Sequence, residues 1–134
     1  MDIKLSEKEF RRLLDMVYIG NWILNSTRAG DRFIDYDIVE SKLFAKCAEC
    51  GMEELMDFSS GAVFPSRAFE NGGIHEAISD YEDAVFYDIL AEELAIRDMG
   101  YDSAEENKDE LERRIDEYLD EFEANGIDNL IIDK

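Results

Sequence analysis

Apolar residues recur every three or four positions in four long stretches of this chain, and that spacing restricts the fold more than any other feature. It is the period of an α-helix with one buried face. The stretches predict helices over about residues 6–28, 31–50, 74–98 and 103–124. Four amphipathic helices with short connections favour an all-α, four-helix, mostly antiparallel bundle-like fold, and 134 residues suit a single acidic domain, 1–134.

Local signals mark where these helices begin and end. Ser6 followed by Glu9 has the spacing of a capping box, in which each residue hydrogen-bonds the backbone of the other. Ser103 and Glu106 repeat that spacing at the start of the fourth helix. Gly51 suits the left-handed position that follows a helix end, here the end of the second helix.

The segment between the second and third helices, residues 52–73, is predicted to be irregular. It contains Ser-Ser-Gly, Phe-Pro and Asn-Gly-Gly, which are all turn or breaker sequences. A short β-ribbon near residues 62–64 is conceivable, but Pro65 and the short length argue against a real sheet. The apolar middle of the C-terminal tail, residues 127–134, is expected to pack back on the helices.

Periodicity also predicts which face of each helix is buried. In the third helix, the side chains within about 60° of Ile78 form the predicted buried face, and Asp80 and Asp98 lie on the opposite, solvated side. That face consists of Tyr81, Val85, Ile89 and Ile96, and Phe86, Leu90 and Leu94 continue the apolar surface round to about 160°. The predicted buried face of the second helix consists of Ile34, Ile38, Val39, Leu43 and Cys47.

The formal net charge of −20 is distributed unevenly. Residues 1–69 contain 12 acids and 9 bases, whereas residues 70–134 contain 22 acids and 5 bases. Such a field repels nucleic acid and acidic membranes and attracts basic protein surfaces. We therefore expect a basic protein as the possible partner, with no direct binding of nucleic acid or membranes. The sequence leaves the oligomeric state open.

A buried polar network is the most specific site that the sequence predicts. Asn21 and Arg28 interrupt the apolar stripe of the first helix, and Asp88 and Glu92 interrupt that of the third. Neither pair has an obvious local partner of opposite charge, and burying such groups separately is costly. We therefore predict that Arg28 contacts Asp88 or Glu92 and that Asn21 hydrogen-bonds nearby. The network would stabilise the fold or line a ligand pocket.

Other motifs predict no catalytic, metal or cofactor site. Cys47 and Cys50 form a C-x-x-C, but a structural zinc site needs four ligands and His75 is the only other histidine or cysteine of the chain. Cys47 is instead expected in the core. Pairs such as Glu106-x-x-Asp109 are of the kind that binds magnesium in all-helical nucleotide pyrophosphohydrolases. Acids at this density produce about eight such pairs by chance, so these pairs are weak evidence.

The function expected from the sequence is therefore binding rather than catalysis. We expect a small, acidic, cytoplasmic, bacterial protein that contacts a basic protein surface, since no segment has the pattern of a signal peptide or membrane helix. One alternative is a mimic of nucleic acid that inhibits a DNA- or RNA-binding protein. Another is a magnesium-dependent nucleotide phosphohydrolase.

The charge asymmetry generates a stability prediction. If repulsion among the acids of residues 70–134 opposes folding, added salt should raise the melting temperature by screening it. Differential scanning calorimetry between about 10 mM and 150 mM salt spans Debye lengths of about 30 to 8 Å and tests this directly. A melting temperature that does not change over this range would show that the charges are already compensated.

Overall fold

The predicted all-α fold class is confirmed. A computed structural model describes residues 1–133 and contains helices α1 (Glu7–Asn25), α2 (Ile34–Ala45), α3 (His75–Met99), α4 (Tyr101–Glu106) and α5 (Lys108–Asn125). A hairpin of β1 (Met56–Ser59) and β2 (Ala62–Pro65) interrupts them. The chain forms two compact units, an N-terminal unit of residues 1–78 and a C-terminal unit that begins at Ser79. Among the described residues, no helix has both the length and the apolarity that a bilayer crossing requires.

Helix α1 begins as its sequence predicts. The amide of Glu9 donates to Ser6 Oγ at 3.1 Å, and the amide of Ser6 donates to Glu9 Oε1 at 2.9 Å, which completes the capping box. The helix ends at Asn25, earlier than predicted. Its buried side chains follow one stripe at intervals of three or four residues: Phe10, Leu14, Tyr18, Asn21 and Asn25.

The core of the N-terminal unit is aromatic. Phe44 of α2 meets Phe69 edge to face at a centroid distance of 4.9 Å, and both rings are fully buried with Leu14. Such an edge-to-face pair adds to the stabilisation from apolar burial. Cys47 is also fully buried here, as predicted, and burial raises the pKa of its thiol. Cys47 and Cys50 are both free thiols.

The predicted buried face of the second helix is wrong for its first three residues. Leu43 and Cys47 pack in the core, but Ile34, Ile38 and Val39 are 63%, 50% and 50% exposed. The helix instead turns Asp37 and Glu40 toward α1, where both accept hydrogen bonds from the Asn21 amide. The physical reason is that buried amide groups need acceptors, and α2 supplies them from its polar side.

The segment after α2 contains a real hairpin, contrary to the prediction of irregular structure. Strands β1 and β2 pair in antiparallel register, with Asp57 opposite Phe64 and Ser59 opposite Ala62. The two turn residues have positive φ, 53° at Ser60 and 80° at Gly61, which matches the twist of a two-residue hairpin turn. Pro65 is the last residue of its strand, a position that proline tolerates.

The C-terminal unit packs α3 against α5 through only one end of the predicted apolar surface of α3. The buried residues of this contact are Ala91, Leu94 and Phe122, whereas Tyr81 and Ile89 are 61% and 58% exposed. Leu94 lies at the end of the predicted surface, and Ala91 lies at nearly the same helical angle as Asp80 and Asp98, on the side predicted to be solvated. Because α3 carries apolar residues around most of its circumference, periodicity alone could not select the packed face.

Two further predictions for this unit are wrong. The predicted fourth helix is two helices, α4 and α5, and Ser103 lies inside α4 rather than at a cap. Asn107 caps α5 instead, accepting a hydrogen bond from the Glu110 amide at 3.2 Å. The tail also does not bury its apolar residues, since Ile131 and Ile132 are more than 80% exposed. Lys134 lies outside the described residues.

The capping arrangement predicts a contrast between two substitutions. Asn107→Ala should lower the free energy of unfolding by about 1 kcal/mol, because an amide at the start of α5 loses its acceptor. Ser103→Ala removes an exposed hydroxyl without a capping role and should change it by less than about 0.5 kcal/mol. Urea denaturation followed by circular dichroism measures both. Equal losses would contradict this assignment of the cap.

Candidate functional site

The structure gives Arg28 partners close to it in the chain. Because α1 ends at Asn25, Arg28 lies in the following connection, where Nε donates to the Leu24 carbonyl at 2.8 Å. Its Nη1 donates to Asp31 at 3.1 Å, and the guanidinium lies 4.3 Å from the centre of the Phe33 ring. The side chain is 37% exposed. The expectation of a buried arginine without a local acid is therefore wrong.

The two predicted acidic members of the network are exposed on α3. Within residues 1–133, neither Asp88 nor Glu92 takes part in a hydrogen bond or ion pair. Since both carboxylates meet water, no desolvation cost requires a cationic partner for them. An ion pair between Arg28 and either acid would join the two units, and it stays a prediction.

Asn21 belongs to a different polar cluster, which lies between α1 and α2. Its side chain is 8% exposed, and its Nδ2 donates to Asp37 at 3.0 Å and to Glu40 at 3.1 Å. Its Oδ1 accepts from Asn25 at 2.6 Å. Both amide hydrogens and the amide oxygen of Asn21 are thus occupied, and the two helices are held in register.

Asn25 extends this cluster to the connection between the helices. Its side chain is 1% exposed. Nδ2 donates to the Phe33 carbonyl at 3.1 Å as well as to Asn21, and Oδ1 accepts from the Phe33 amide at 2.8 Å. The asparagine therefore pairs with the backbone of the residue just before α2, which fixes where that helix begins.

The pKa values of the two carboxylates of the cluster are shifted in opposite directions. Arg32 donates twice to Asp37, at 3.1 and 2.7 Å, and these bonds are the largest cause of the lowered pKa of Asp37. Burial raises the pKa of Glu40, although its bond from Asn21 opposes that shift. Of the two groups, Glu40 binds or releases a proton nearer to neutral pH. Adjacent carboxyls with opposite shifts are a frequent property of functional sites.

An aromatic cluster flanks these groups. The Tyr18 hydroxyl and His75 Nε2 are 2.7 Å apart, and the His75 ring meets the Trp22 ring edge to face at 4.9 Å. Burial raises the pKa of Tyr18 to about 12, with further contributions from Glu70 and Glu40. Only the helical spacing of Tyr18 and Trp22 indicates this cluster in the sequence.

A second candidate site is one face of α3 in the C-terminal unit, which we name the acidic–apolar face. It spans a sector of about 160° at the helical angle of 100° per residue. Its apolar members are exposed or half-buried, and its acids are all exposed. The face consists of Tyr81, Val85, Phe86 and Ile89 together with Glu82, Asp88, Glu92 and Glu93.

The arginines of the C-terminal unit are engaged elsewhere. Arg97 pairs with Asp98, which also accepts a hydrogen bond from Tyr118. Arg113 and Arg114 both bind Glu110 and hold its pKa at about 2. These pairs leave the acids of the acidic–apolar face without an arginine partner among the described residues.

Helix α5 carries a further set of acids, which we name the acidic row. Its members lie within a sector of about 80° and extend over about 21 Å of helix at 1.5 Å per residue. All are exposed, and within the described part of the chain none has a hydrogen-bond or ion-pair partner. The row consists of Asp109, Glu112, Asp116, Asp120 and Glu123.

The positions of the acidic side chains decide whether they can bind a metal ion. Across residues 1–133, no three or more histidine, cysteine or acidic side chains come together in an arrangement able to hold a metal ion. The described structure therefore adds no support for a magnesium-dependent phosphohydrolase. Its acids are arranged as surfaces in the C-terminal unit and as a hydrogen-bonded cluster in the N-terminal unit.

The polar cluster predicts a large effect of Asn25→Ala. The substitution leaves the Phe33 amide and Asn21 Oδ1 without partners, and each such loss costs about 1–3 kcal/mol, so roughly 2–6 kcal/mol of unfolding free energy should be lost. Urea denaturation measures the change. Asn71→Ala, at an exposed asparagine of the same unit, is the control. Similar small losses in both variants would contradict the role given to Asn25.

Comparison with protein-family models, with curated proteins and with solved structures gives no match to this chain. Its function must therefore be inferred from the surfaces and clusters described above.

Proposed function

We propose that the C-terminal unit is a binding module for a basic, amphipathic segment of another protein. The observation that supports this proposal is the acidic–apolar face of α3, where Tyr81, Phe86 and Ile89 are 61%, 49% and 58% exposed. Exposed aromatic and aliphatic side chains grouped on one helix face are typical of protein-interaction surfaces. The acids among them specify the charge of the partner.

The spacing of the face suits a partner helix. Tyr81, Val85 and Ile89 follow one another at intervals of four residues and form a continuous apolar ridge. Glu92 and Glu93 lie three and four residues after Ile89, beside the end of that ridge. A partner with apolar residues at helical spacing and lysines or arginines on both sides would bury the ridge and pair with the acids.

Electrostatics would act mainly on association. The surplus of acids in residues 70–134 attracts a basic segment over about a Debye length and so raises the rate of encounter. Exposed ion pairs contribute little affinity, typically below about 1 kcal/mol each. Burial of Phe86, Tyr81 and Ile89 would supply most of the binding energy. We place this interaction in the cytoplasm, where Cys47 and Cys50 would stay reduced.

The acidic row of α5 supports a second candidate function, mimicry of a nucleic-acid strand. Five unpaired carboxylates in one line could occupy the phosphate sites of a basic DNA- or RNA-binding protein. This alternative uses a different helix from the first proposal and needs no apolar contact. The two functions can therefore be separated by substitutions.

The test uses a labelled synthetic peptide of about 18 residues with leucine and lysine at helical spacing, and a scrambled peptide of the same composition. Fluorescence anisotropy should show tighter binding of the amphipathic peptide. Phe86→Ala/Ile89→Ala should weaken that binding roughly tenfold, because truncating central apolar residues of an interface has effects of this size. Met16→Ala/Ile23→Ala, at exposed apolar residues of α1, is the matched control and should have little effect.

A second pair of variants tests whether the peptide binds the acidic–apolar face or responds only to the net charge of the protein. Glu92→Gln/Glu93→Gln and Glu112→Gln/Asp116→Asn remove the same two charges from α3 and from the acidic row. Stronger loss from the α3 pair supports the proposal. Equal loss, with equal binding of the scrambled peptide, would reduce the interaction to net charge and refute it.

The natural partner can be sought by affinity purification from the host at low and high salt, followed by mass spectrometry. A partner that binds through the acidic row and competes with DNA would favour mimicry instead.

A further inference from the structure

Two cavities of the N-terminal unit meet at Glu40. The larger has a volume of about 540 Å³, within the range typical of small-molecule sites, and the smaller about 270 Å³. Asn21, Arg32 and Glu40 line both. Glu40 therefore lies where a ligand that enters either cavity would meet a carboxylate.

The hydrogen-bonding capacity of Glu40 is only partly used. Within residues 1–133 its carboxylate accepts one hydrogen bond, from Asn21 to Oε2, and Oε1 accepts none. No buried side-chain oxygen or nitrogen of the described structure lacks a partner, so Oε1 is accessible to solvent in a residue that lines both cavities. A carboxylate oxygen in this position can accept a hydrogen bond from a ligand.

Glu40 also has no ion-pair partner among the described residues. The charge of Arg32 acts on Glu40 from nearby and lowers its pKa, but both described hydrogen bonds of Arg32 go to Asp37. Lys42 lines the larger cavity and forms no ion pair with Glu40. A half-buried carboxylate that lacks a hydrogen-bonded cation is stabilised when a cationic ligand supplies one.

The cavity walls complement an amine that carries an apolar group. Ile38, Val63 and Phe64 line the larger cavity, and the rings of Tyr18 and Trp22 line the smaller one. Aromatic faces attract cations, and aliphatic walls favour an apolar substituent. A ligand that fits this site therefore has a positively charged end for Glu40 and an apolar end for the cavity walls.

We propose that this site binds a small organic amine, whose ammonium group pairs with Glu40 and whose apolar substituent lies against Ile38, Val63 and Phe64. The ammonium donates to Oε1, while Asn21 continues to hold Oε2. Asn25 and Arg32 keep the remaining polar groups in place, so the site exists before the ligand arrives. This site is separate from the acidic–apolar face and does not depend on the function proposed for it.

The experiment uses three probes of nearly equal shape: 2-phenylethylamine, 2-phenylethanol and phenylacetate. Trp22 is the only tryptophan of the chain and lines the smaller cavity, so its fluorescence reports on the site. The amine should produce a saturable change at concentrations at least roughly tenfold lower than the alcohol or the acid, because only the amine offers a charge-assisted hydrogen bond to Glu40. Equal responses to all three probes, or none, would overturn the proposal.

Substitutions test whether the fluorescence change arises from binding at Glu40. Glu40→Gln keeps the shape of the side chain and should weaken binding of the amine by roughly tenfold or more, since the charge is lost. Asp35→Asn makes the same change of charge at an exposed position of α2 and should leave binding within about twofold. Circular dichroism checks that both variants fold. Unaltered affinity in Glu40→Gln would refute the assignment, and if that variant does not fold, the comparison of the three probes on the wild-type protein decides.

Discussion

The N-terminal unit depends on two buried amides, the side chains of Asn21 and Asn25. Each has two N–H donors and one oxygen, and a buried amide group without a partner costs about 1–3 kcal/mol. Asn25 uses the backbone of Phe33, while Asn21 uses the carboxylates of α2. An apolar face of α2 in the same position would leave both donors of Asn21 unpaired. The requirement for acceptors therefore decides which side of α2 is buried.

The orientation of α2 has a direct consequence for the surface. With Asp37 and Glu40 turned inward, Ile34, Ile38 and Val39 must face outward. The energy of burying these three side chains is given up, whereas Phe44 and Cys47 on the inward side retain theirs. Ile38 then forms part of the wall of the larger cavity, which the Glu40 carboxylate also lines. The polar cluster and the apolar cavity wall thus have a common origin.

The sequence predicted features that are decided locally and missed those decided by packing partners. The Ser6–Glu9 capping box and the positive φ at Gly51 depend on a few adjacent residues, and both are confirmed. The predicted place of Gly51 directly after the second helix is wrong, because α2 already ends at Ala45. The faces of α2 and α3 depend on which helix surface each one meets, and both helices offer apolar residues on more than one side. The prediction that Asn21 hydrogen-bonds nearby does not identify its acceptors, which lie on α2. Asp37 and Glu40 have the three-residue spacing that matches one helix face, a signal present in the sequence.

The acidic–apolar face of α3 raises the question of how exposed aromatic residues avoid self-association. On α5, apolar and acidic residues occupy separate sectors, so its apolar side is covered within the unit. On α3, Glu82, Asp88, Glu92 and Glu93 lie among Tyr81, Phe86 and Ile89. Two copies of this face would bring like charges together and desolvate them, which opposes the gain from burying the apolar residues. A basic partner meets no such repulsion. The same acids that would attract such a partner therefore oppose pairing of the face with itself.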